Sequence, residues 1–265
     1  MGSGNQGYYR GSVLDLTNLQ YSSYVIDTSS SIFGNGTFNA STKDYGFGAL
    51  SADEMSQLRT WTNYKNVVFD ITFEGTSAAL YNGGVGAFTF GSGTAHEWGM
   101  PGGRTTGFLT VNGSKIEIDT KRSFTWYDRQ WGAAMGNWTW FQLNFNNGTA
   151  KASFWAIDTT TPYQRARFAT VRTADGIHHF LPTMLTPNTE HTYLSNATDI
   201  EYPLQWDLKI GETDHLTIKS VRADQEIVGS AISDSAYEGF VMFLGTLLNK
   251  CKDLGWLRWS KLCSE

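Results

Sequence analysis

Cysteine, proline, charge and long apolar runs are all scarce in this chain of 265 residues, and each scarcity narrows what it can be. Two cysteines, Cys251 and Cys263, are too few for a disulfide framework or a zinc site, and leave either one disulfide or a pair of free thiols. Only 17% of the residues are charged, and a net charge of −5 gives no electrostatic footprint for nucleic acid or an anionic membrane. The longest apolar run near the end, Phe240 to Leu248, is about half of the ~20 residues that a membrane-spanning helix needs, so the chain reads as soluble. The histidines, His96, His178, His179, His191 and His215, show neither His-x-His nor His-Glu-x-x-His spacing, and no metal is predicted. There is no Gly-x-Ser-x-Gly elbow, and neither cysteine lies near a histidine in sequence, so nucleophilic hydrolysis has no positive signal. The run NGGVGAFTFG lacks a continuation into a helix and reads as a turn beside a strand; no nucleotide or other cofactor is expected.

What the chain does have is tryptophan, ten in all, and glycine, 28 against five prolines. Short alternating runs carry the fold signal. In NVVFDITFEG, Val67, Phe69, Ile71 and Phe73 line one face and Asp70, Thr72 and Glu74 the other. The pattern recurs in SKIEID, WTWFQLNF, KASFWAID, PLQWDLKI and HLTIKSV. Between these runs stand Asn82-Gly83, Asn112-Gly113, Asn147-Gly148 and Asp175-Gly176, which suit the positive φ of hairpin turns. The class is all-β. One short helix is expected in SADEMSQLRTW, where Ser51 and Glu54 have capping-box spacing, and Leu247, Leu248, Cys251 and Leu254 have helical spacing in the tail. A domain boundary is expected within Thr159 to Gly176, giving 1–165 and 166–265.

Two stretches draw attention as chemistry. In SFTWYDRQWG an extended backbone puts Trp126, Asp128 and Gln130 on one side and Tyr127, Arg129 and Trp131 on the other. Each charge then sits between aromatic rings, either as part of a site or as a structural Asp128–Arg129 pair. In HEWGMPGG, His96 and Glu97 are either functional or solvent-facing members of a turn. The arginines of RARFATVR, Arg165, Arg167 and Arg172, read as solvated strand edges, and Asp224 and Glu226 as part of a domain-closing turn. Six Asn-X-Ser/Thr sequons, at Asn35, Asn39, Asn112, Asn137, Asn147 and Asn196, point to N-glycans and a secretory route. The opening MGSGNQGYYR does not have the pattern of a signal peptide.

Nine stretches in order, GSVLDLTNLQY, GGVGAFTFGSGTAHEWGMPGGRTTG, SFTWYDRQWG, NWTWFQLNF, ASFWAID, RARFATVR, YPLQWDLKI, LTIKSVRADQEI and AYEGFV, carry a family resemblance across nearly the whole chain. The sequence resembles the fungal secreted proteins grouped with kievitone hydratase, a set that extends to hydroxyneurosporene-synthase-like proteins and to hetero-Diels–Alderases of tropolone–sesquiterpenoid biosynthesis. The resemblance implies two lipocalin-like antiparallel β-barrel or sandwich domains, with ligand in the first barrel or at the domain interface. It also implies strands of the first domain ahead of GSVLDL, and a secreted or vesicular location.

Three functions follow from the resemblance together with the aromatic content. The favoured one is a cofactor-free pericyclase that joins a terpene alkene to a quinone-methide-type partner, needing a shaped cavity and one or two hydrogen-bond donors from Arg129, Tyr127 or His96. The second is a hydratase adding water to a prenyl double bond, with Asp128, His96 or Glu97 as acid and base and Tyr127 as a further acid. The third is a non-catalytic carrier of an apolar metabolite. Trp98, Trp126, Trp131, Phe88, Phe90 and Trp155 are the expected apolar walls. The partner is an apolar small molecule, and a homodimer is left open.

Overall fold

The computed structural model describes residues 7–28, 32–33, 37–65, 67–111, 113–132, 136–145, 148–248 and 251–262. Among them the regular structure is dominated by strand, and single turns of 3-10 helix occur at Asn82–Gly84 and Ile232–Asp234. The expected turns at Gly83, Gly113, Gly148 and Gly176 all have positive φ at the glycine. The chain divides into two compact units, Met1–Ser77 with Met100–Tyr127, and Ala78–Gly99 with Asp128–Glu265. This division differs from the expected boundary near residue 165, which falls inside a strand paired along its whole length.

In the first unit β1 (Gly7–Asp15) and β2 (Gln20–Thr28) form a hairpin. β3 (Ile32–Phe33), β4 (Asn39–Ser41), β5 (Tyr45–Ala49), β6 (Gln57–Tyr64) and β7 (Val67–Gly75) follow as an antiparallel meander. β8 (Leu80–Tyr81) and β9 (Ala87–Phe90) belong to the second unit. β10 (Gly93–Val111) starts in the second unit and ends in the first, where it pairs with β7 and with β11 (Ser114–Glu117). β12 (Phe124–Gly132) runs alongside β10. Alternation fixes the faces as read from the sequence: Phe73 and Leu58 are buried, whereas Asp70 takes a bidentate ion pair from Arg59, both contacts at 2.7 Å, on the opposite side.

The expected helix at Ser51 does not form. The Ser51 hydroxyl bonds to Asp53, whose Oδ1 also accepts the backbone N–H groups of Met55 and Ser56. That closes a turn, and β6 begins at Gln57 with Leu58 and Thr62 inward. Glu54 does not complete a capping box, because its carboxylate accepts the N–H of Phe38.

The second unit continues with β13 (Asn137–Phe145), β14 (Ala150–Thr160), β15 (Tyr163–Thr173), β16 (His178–Pro187), β17 (Thr192–Leu194), β18 (Glu201–Pro203), β19 (Gln205–Ile210), β20 (Asp214–Ser220), β21 (Glu226–Ile227), β22 (Ala236–Leu247) and β23 (Cys251–Leu262). Ladders join β13-β14-β15-β16-β19-β20-β22-β23, and β23 returns to β13, so eight antiparallel strands close a lipocalin-like barrel. The helical expectation for the tail is therefore wrong: β22 and β23 are the pair that closes the ring, and ring closure outweighs a local spacing signal. The bonding of Cys251 with Cys263 falls outside the described residues. The arginine reading also changes, since β15 lies between β14 and β16 and is no edge. Arg167 holds Asp158 bidentately at 2.8 and 2.6 Å, Arg172 donates to the carbonyls of Ala79 and Gly176, and of the three only Arg165 is exposed.

Phe141, Leu143, Phe145, Trp206, Leu216 and Phe243 fill the barrel interior. At its edge, Glu226 is 4% exposed and accepts hydrogen bonds from Ser195, from Thr198 at 2.7 Å and from Tyr202 at 2.6 Å. This carboxylate ties β21 to the segment around β18 within the second unit, from a strand rather than from the domain-closing turn expected of that stretch. Replacing it strands three buried hydroxyls, so Glu226→Ala should lose about 3 kcal/mol or more of unfolding free energy in a urea titration. A loss under about 1 kcal/mol would contradict the assignment.

Candidate active site

The strand β13 reads NWTWFQLNF, and its two faces go to different places. Phe141, Leu143 and Phe145 enter the barrel, which leaves Trp138, Trp140, Gln142 and Asn144 on the outer face. Cross-strand register extends that outer face into rungs. Trp140 stands opposite Trp155, and Trp155 opposite Phe168; next, Gln142 faces Ser153, and Ser153 faces Thr170. Phe90, Ala95, Trp140, Trp155, Ile157 and Phe168 form one buried cluster, with Phe88 and Trp138 packed against it. The segment that carries β8, β9 and the start of β10 thus covers the aromatic rungs of the barrel's outer surface.

Glu97 belongs to this covering segment and is 1% exposed. HEWGMPGG is therefore no turn: it lies within β10, a strand of 19 residues, with Ala95 and Glu97 inward and Thr94 outward. The Glu97 N–H donates to the carbonyl of Gly86 at 3.0 Å. Gly86 has φ of 79°, a conformation that a side chain would strain, so a glycine here helps set the acid's position. Burial pushes the Glu97 pKa well above its ordinary value of 4.5, and the charge of Asp128 raises it further. The Trp155 indole N–H partly offsets the shift, yet the two groups do not reach full hydrogen-bond geometry, and Glu97 Oε2 and Trp155 Nε1 are both left without a proper partner. The result is a carboxyl group among aromatic rings, near Asp128, whose surroundings favour the protonated form.

His96, Asp128 and Trp131 complete the group. The His96 ring stacks on Trp131 at 5.3 Å between centroids and 10° between planes, and its Nδ1 is buried without a hydrogen-bond partner. The stack depends on a close approach of β12 to β10. Gly132 has φ of 98°, and a Cβ there would meet the Thr94 carbonyl oxygen at 2.4 Å.

The expected site residues thus separate. His96, Glu97, Trp98, Asp128, Arg129, Trp131, Phe88, Phe90 and Trp155 lie in the second unit, and Trp126 and Tyr127 in the first. Tyr127 packs against Phe47 and Phe73, with ring centroids at 5.3 and 5.9 Å, within the first unit. Arg129 is exposed. Phe90 and Trp155, at 0% and 3% exposure, are packed as core behind the acid. Asn82, 1% exposed with a buried Oδ1 lacking a partner, and Gln142 were missed in the sequence. The alternation of NWTWFQLNF was the available signal for Gln142. A cavity of about 370 Å³ in the first unit, lined by Val13, Asp15, Lys65 and Thr110 among others, contains none of these residues. The chemistry points to the Glu97 cluster instead. Among the described residues no group of metal-ligating side chains occurs, and no helix is long and apolar enough to cross a membrane.

The sign of the pH dependence follows from Glu97. Above the ordinary glutamate range the unfolded chain has released a proton that the folded protein still holds, so stability falls as pH rises towards the raised pKa. The slope is up to about 1.4 kcal/mol per pH unit. Glu97→Gln keeps the shape and removes the titration. Its urea midpoint should decline less than that of the wild type between about pH 5 and pH 8; parallel curves would show that Glu97 ionises normally.

A family model described as AttH-like matches residues 27–256. Kievitone hydratase of Fusarium solani subsp. phaseoli is 44% identical over 252 residues, covering 92% of this chain and 70% of that protein. Dehydratase asqC of Emericella nidulans is 37% identical over 253 residues, covering 89% of this chain and 71% of that protein. The crystal structure of kievitone hydratase from Nectria haematococca superposes with a TM-score of 0.90 at 40% identity, over 97% of this chain and 80% of that one. The two sequence relatives are named as enzymes that add or remove water, and one of them gives its name to the group that the nine motifs resemble. The chain belongs to the AttH-like family.

Proposed function

We propose that the protein is an enzyme that adds water to, or removes it from, an apolar substrate bearing a prenyl-type double bond. The observation that carries this reading is Glu97, a carboxyl group 1% exposed beside the aromatic cluster, whose pKa is pushed well up by burial and then by Asp128. An alkene is a poor base, and its hydration requires a proton donor in a dry, cation-tolerant setting, together with a base for water. In the hydration direction the Glu97 O–H delivers its proton to one alkene carbon as the π pair forms the new C–H bond. Positive charge develops on the other carbon, where the ring face of Trp138, partly buried at the margin of the aromatic cluster, stabilises it. Water forms the C–O bond there and gives its surplus proton to Asp128. Transfer of that proton back to Glu97 resets the pair, with one water consumed. Dehydration is the same sequence reversed, which accommodates the names of both relatives. His96, clamped on Trp131, is positioned to orient the water through Nδ1.

The second reading, a pericyclase, draws support from the same features used differently. The protonated Glu97 would donate a hydrogen bond to a carbonyl, and the aromatic wall would hold two apolar partners in near-attack geometry. A secretory route with N-glycans belongs to either reading; Asn39, Asn137 and Asn196 are exposed.

Incubation of kievitone and related prenylated isoflavonoids with the protein in ¹⁸O-labelled water separates the two. Label at a former alkene carbon is the expected result, with Glu97→Gln and Asp128→Asn each lowering kcat by about 10²-fold or more while remaining folded. A single-stereoisomer cyclic product without label would replace hydration with ring closure. A folded protein that binds these compounds without turning them over would be a carrier.

A further inference from the structure

The aromatic rungs on the outer face of the second unit's barrel give way to polar ones. Beyond Trp140–Trp155–Phe168 comes Gln142–Ser153–Thr170, and beyond that Asn144–Lys151–Arg172. Such a row opposes the rule that a covered sheet face is apolar, and several of its polar atoms are not paired internally. Trp140 Nε1 donates to Ser153 Oγ at 2.8 Å, which satisfies the middle of the first polar rung. On either side of it, Gln142 Oε1 and Thr170 Oγ1 are buried without a partner, in residues 5% and 0% exposed. Both polar atoms of the Asn144 amide are in the same condition on the next rung.

The covering segment adds to this. Its Tyr81 N–H donates to His178 Nε2 at 3.2 Å, and its Ala79 carbonyl accepts from Arg172, so it crosses the outermost polar rung. A Cβ on Gly84 would lie 3.5 Å from Phe180, the residue opposite Thr170. Between these fixed points sits Asn82, whose Oδ1 is a further buried atom with no partner. Buried groups of this kind are normally satisfied, and leaving several unpaired on one face would cost more than a protein's marginal stability tolerates. The atoms on Gln142, Asn82 and Thr170 are acceptors or a hydroxyl, so what satisfies them donates hydrogen bonds. It must also be small, because the aromatic cluster packs directly beside them.

We propose that Asn82, Gln142 and Thr170 bind ordered water, and that this water, continuing along Asn144 and Lys151, is the supply line between solvent and Glu97. The polar rungs begin at Gln142–Ser153–Thr170, next to the rung of Trp155 beside the acid, and end at Asn144 and Lys151, which are partly exposed, so the track has an inner and an outer end. Delivery of water rests on the hydro-lyase reading above; the binding of water does not.

The test uses Gln142→Met and Thr170→Val, singly and together, which keep side-chain size and remove the hydrogen-bonding atoms. A high-resolution crystal structure of the wild type should show water within hydrogen-bond distance of Gln142 Oε1, Thr170 Oγ1 and Asn82 Oδ1, and the double variant should lose it. Hydration or dehydration of the substrate identified by ¹⁸O labelling should fall at least about 10-fold in kcat with KM within about 2-fold, the split expected when a reactant other than the organic substrate is lost. Wild-type density in which these atoms are dry or bonded to one another would overturn the site. Ordered water with undiminished turnover in the double variant would overturn its role in supply. Ordered water in a protein that performs no water chemistry would retain the site and reject the hydro-lyase reading.

Discussion

A carboxyl group kept out of water near a second carboxyl group is the constraint on which the proposed chemistry rests. Glu97 is buried against tryptophan and phenylalanine, and the neighbouring charge of Asp128 reinforces what burial begins. An ionised group there would lack solvent. Burial therefore favours protonation, and it shifts a residue that is ordinarily a base at neutral pH towards acting as an acid. The backbone supports the arrangement through two positions that favour glycine, Gly86 by its positive φ and Gly132 by its positive φ and its close approach to Thr94.

The barrel of the second unit supplies the wall by using both faces of its sheet. Its interior is a packed core, Phe141 to Phe243, that closes the ring and leaves the chemistry to the outside. The outer face carries Trp140, Trp155 and Phe168 in register, and the Ala78–Gly99 segment lays Phe88, Phe90 and Glu97 on it. Strands buried on both faces lose the simple apolar–polar alternation, which is why β13 and β14 are rich in aromatic residues throughout. The glutamate at the other end of the unit, Glu226, shows the contrast. It is nearly as buried as Glu97, but three hydroxyls converge on it, and a carboxylate so supplied with donors is a structural tie.

The strands, the hairpin turns at Asn-Gly and Asp-Gly steps, and the family were legible in the sequence because each rests on local spacing or on an ordered set of motifs. The elements misread, Ser51 onward and the tail, fail for a common reason. A capping-box spacing is overridden when the serine binds Asp53 instead, and leucines at helical spacing are overridden when the barrel needs two more strands. At the site, His96, Glu97, Asp128 and the aromatic residues were visible as types in suggestive stretches. Which of them is buried was not, since the faces of β10 are set by pairing with β8 and β9 rather than by its own composition. Tyr127 and Asp128, adjacent in sequence, fall in different units, and no local pattern marks that division. The alternation of β13 puts Gln142 on the outer face, but nothing local announces that another segment will cover it or Thr170.

The central claim is that Glu97 carries a proton at neutral pH. Infrared difference spectroscopy of the protein in D₂O, wild type against Glu97→Gln, reads this directly through the C=O stretch of a protonated carboxyl group. The account predicts a carboxylic acid band at pH 7 that is present in the wild type, shifts on deuteration and is absent from the variant. A wild type showing only carboxylate bands at that pH would mean that Glu97 is ionised, and the acid on which the proposed water chemistry depends would not exist.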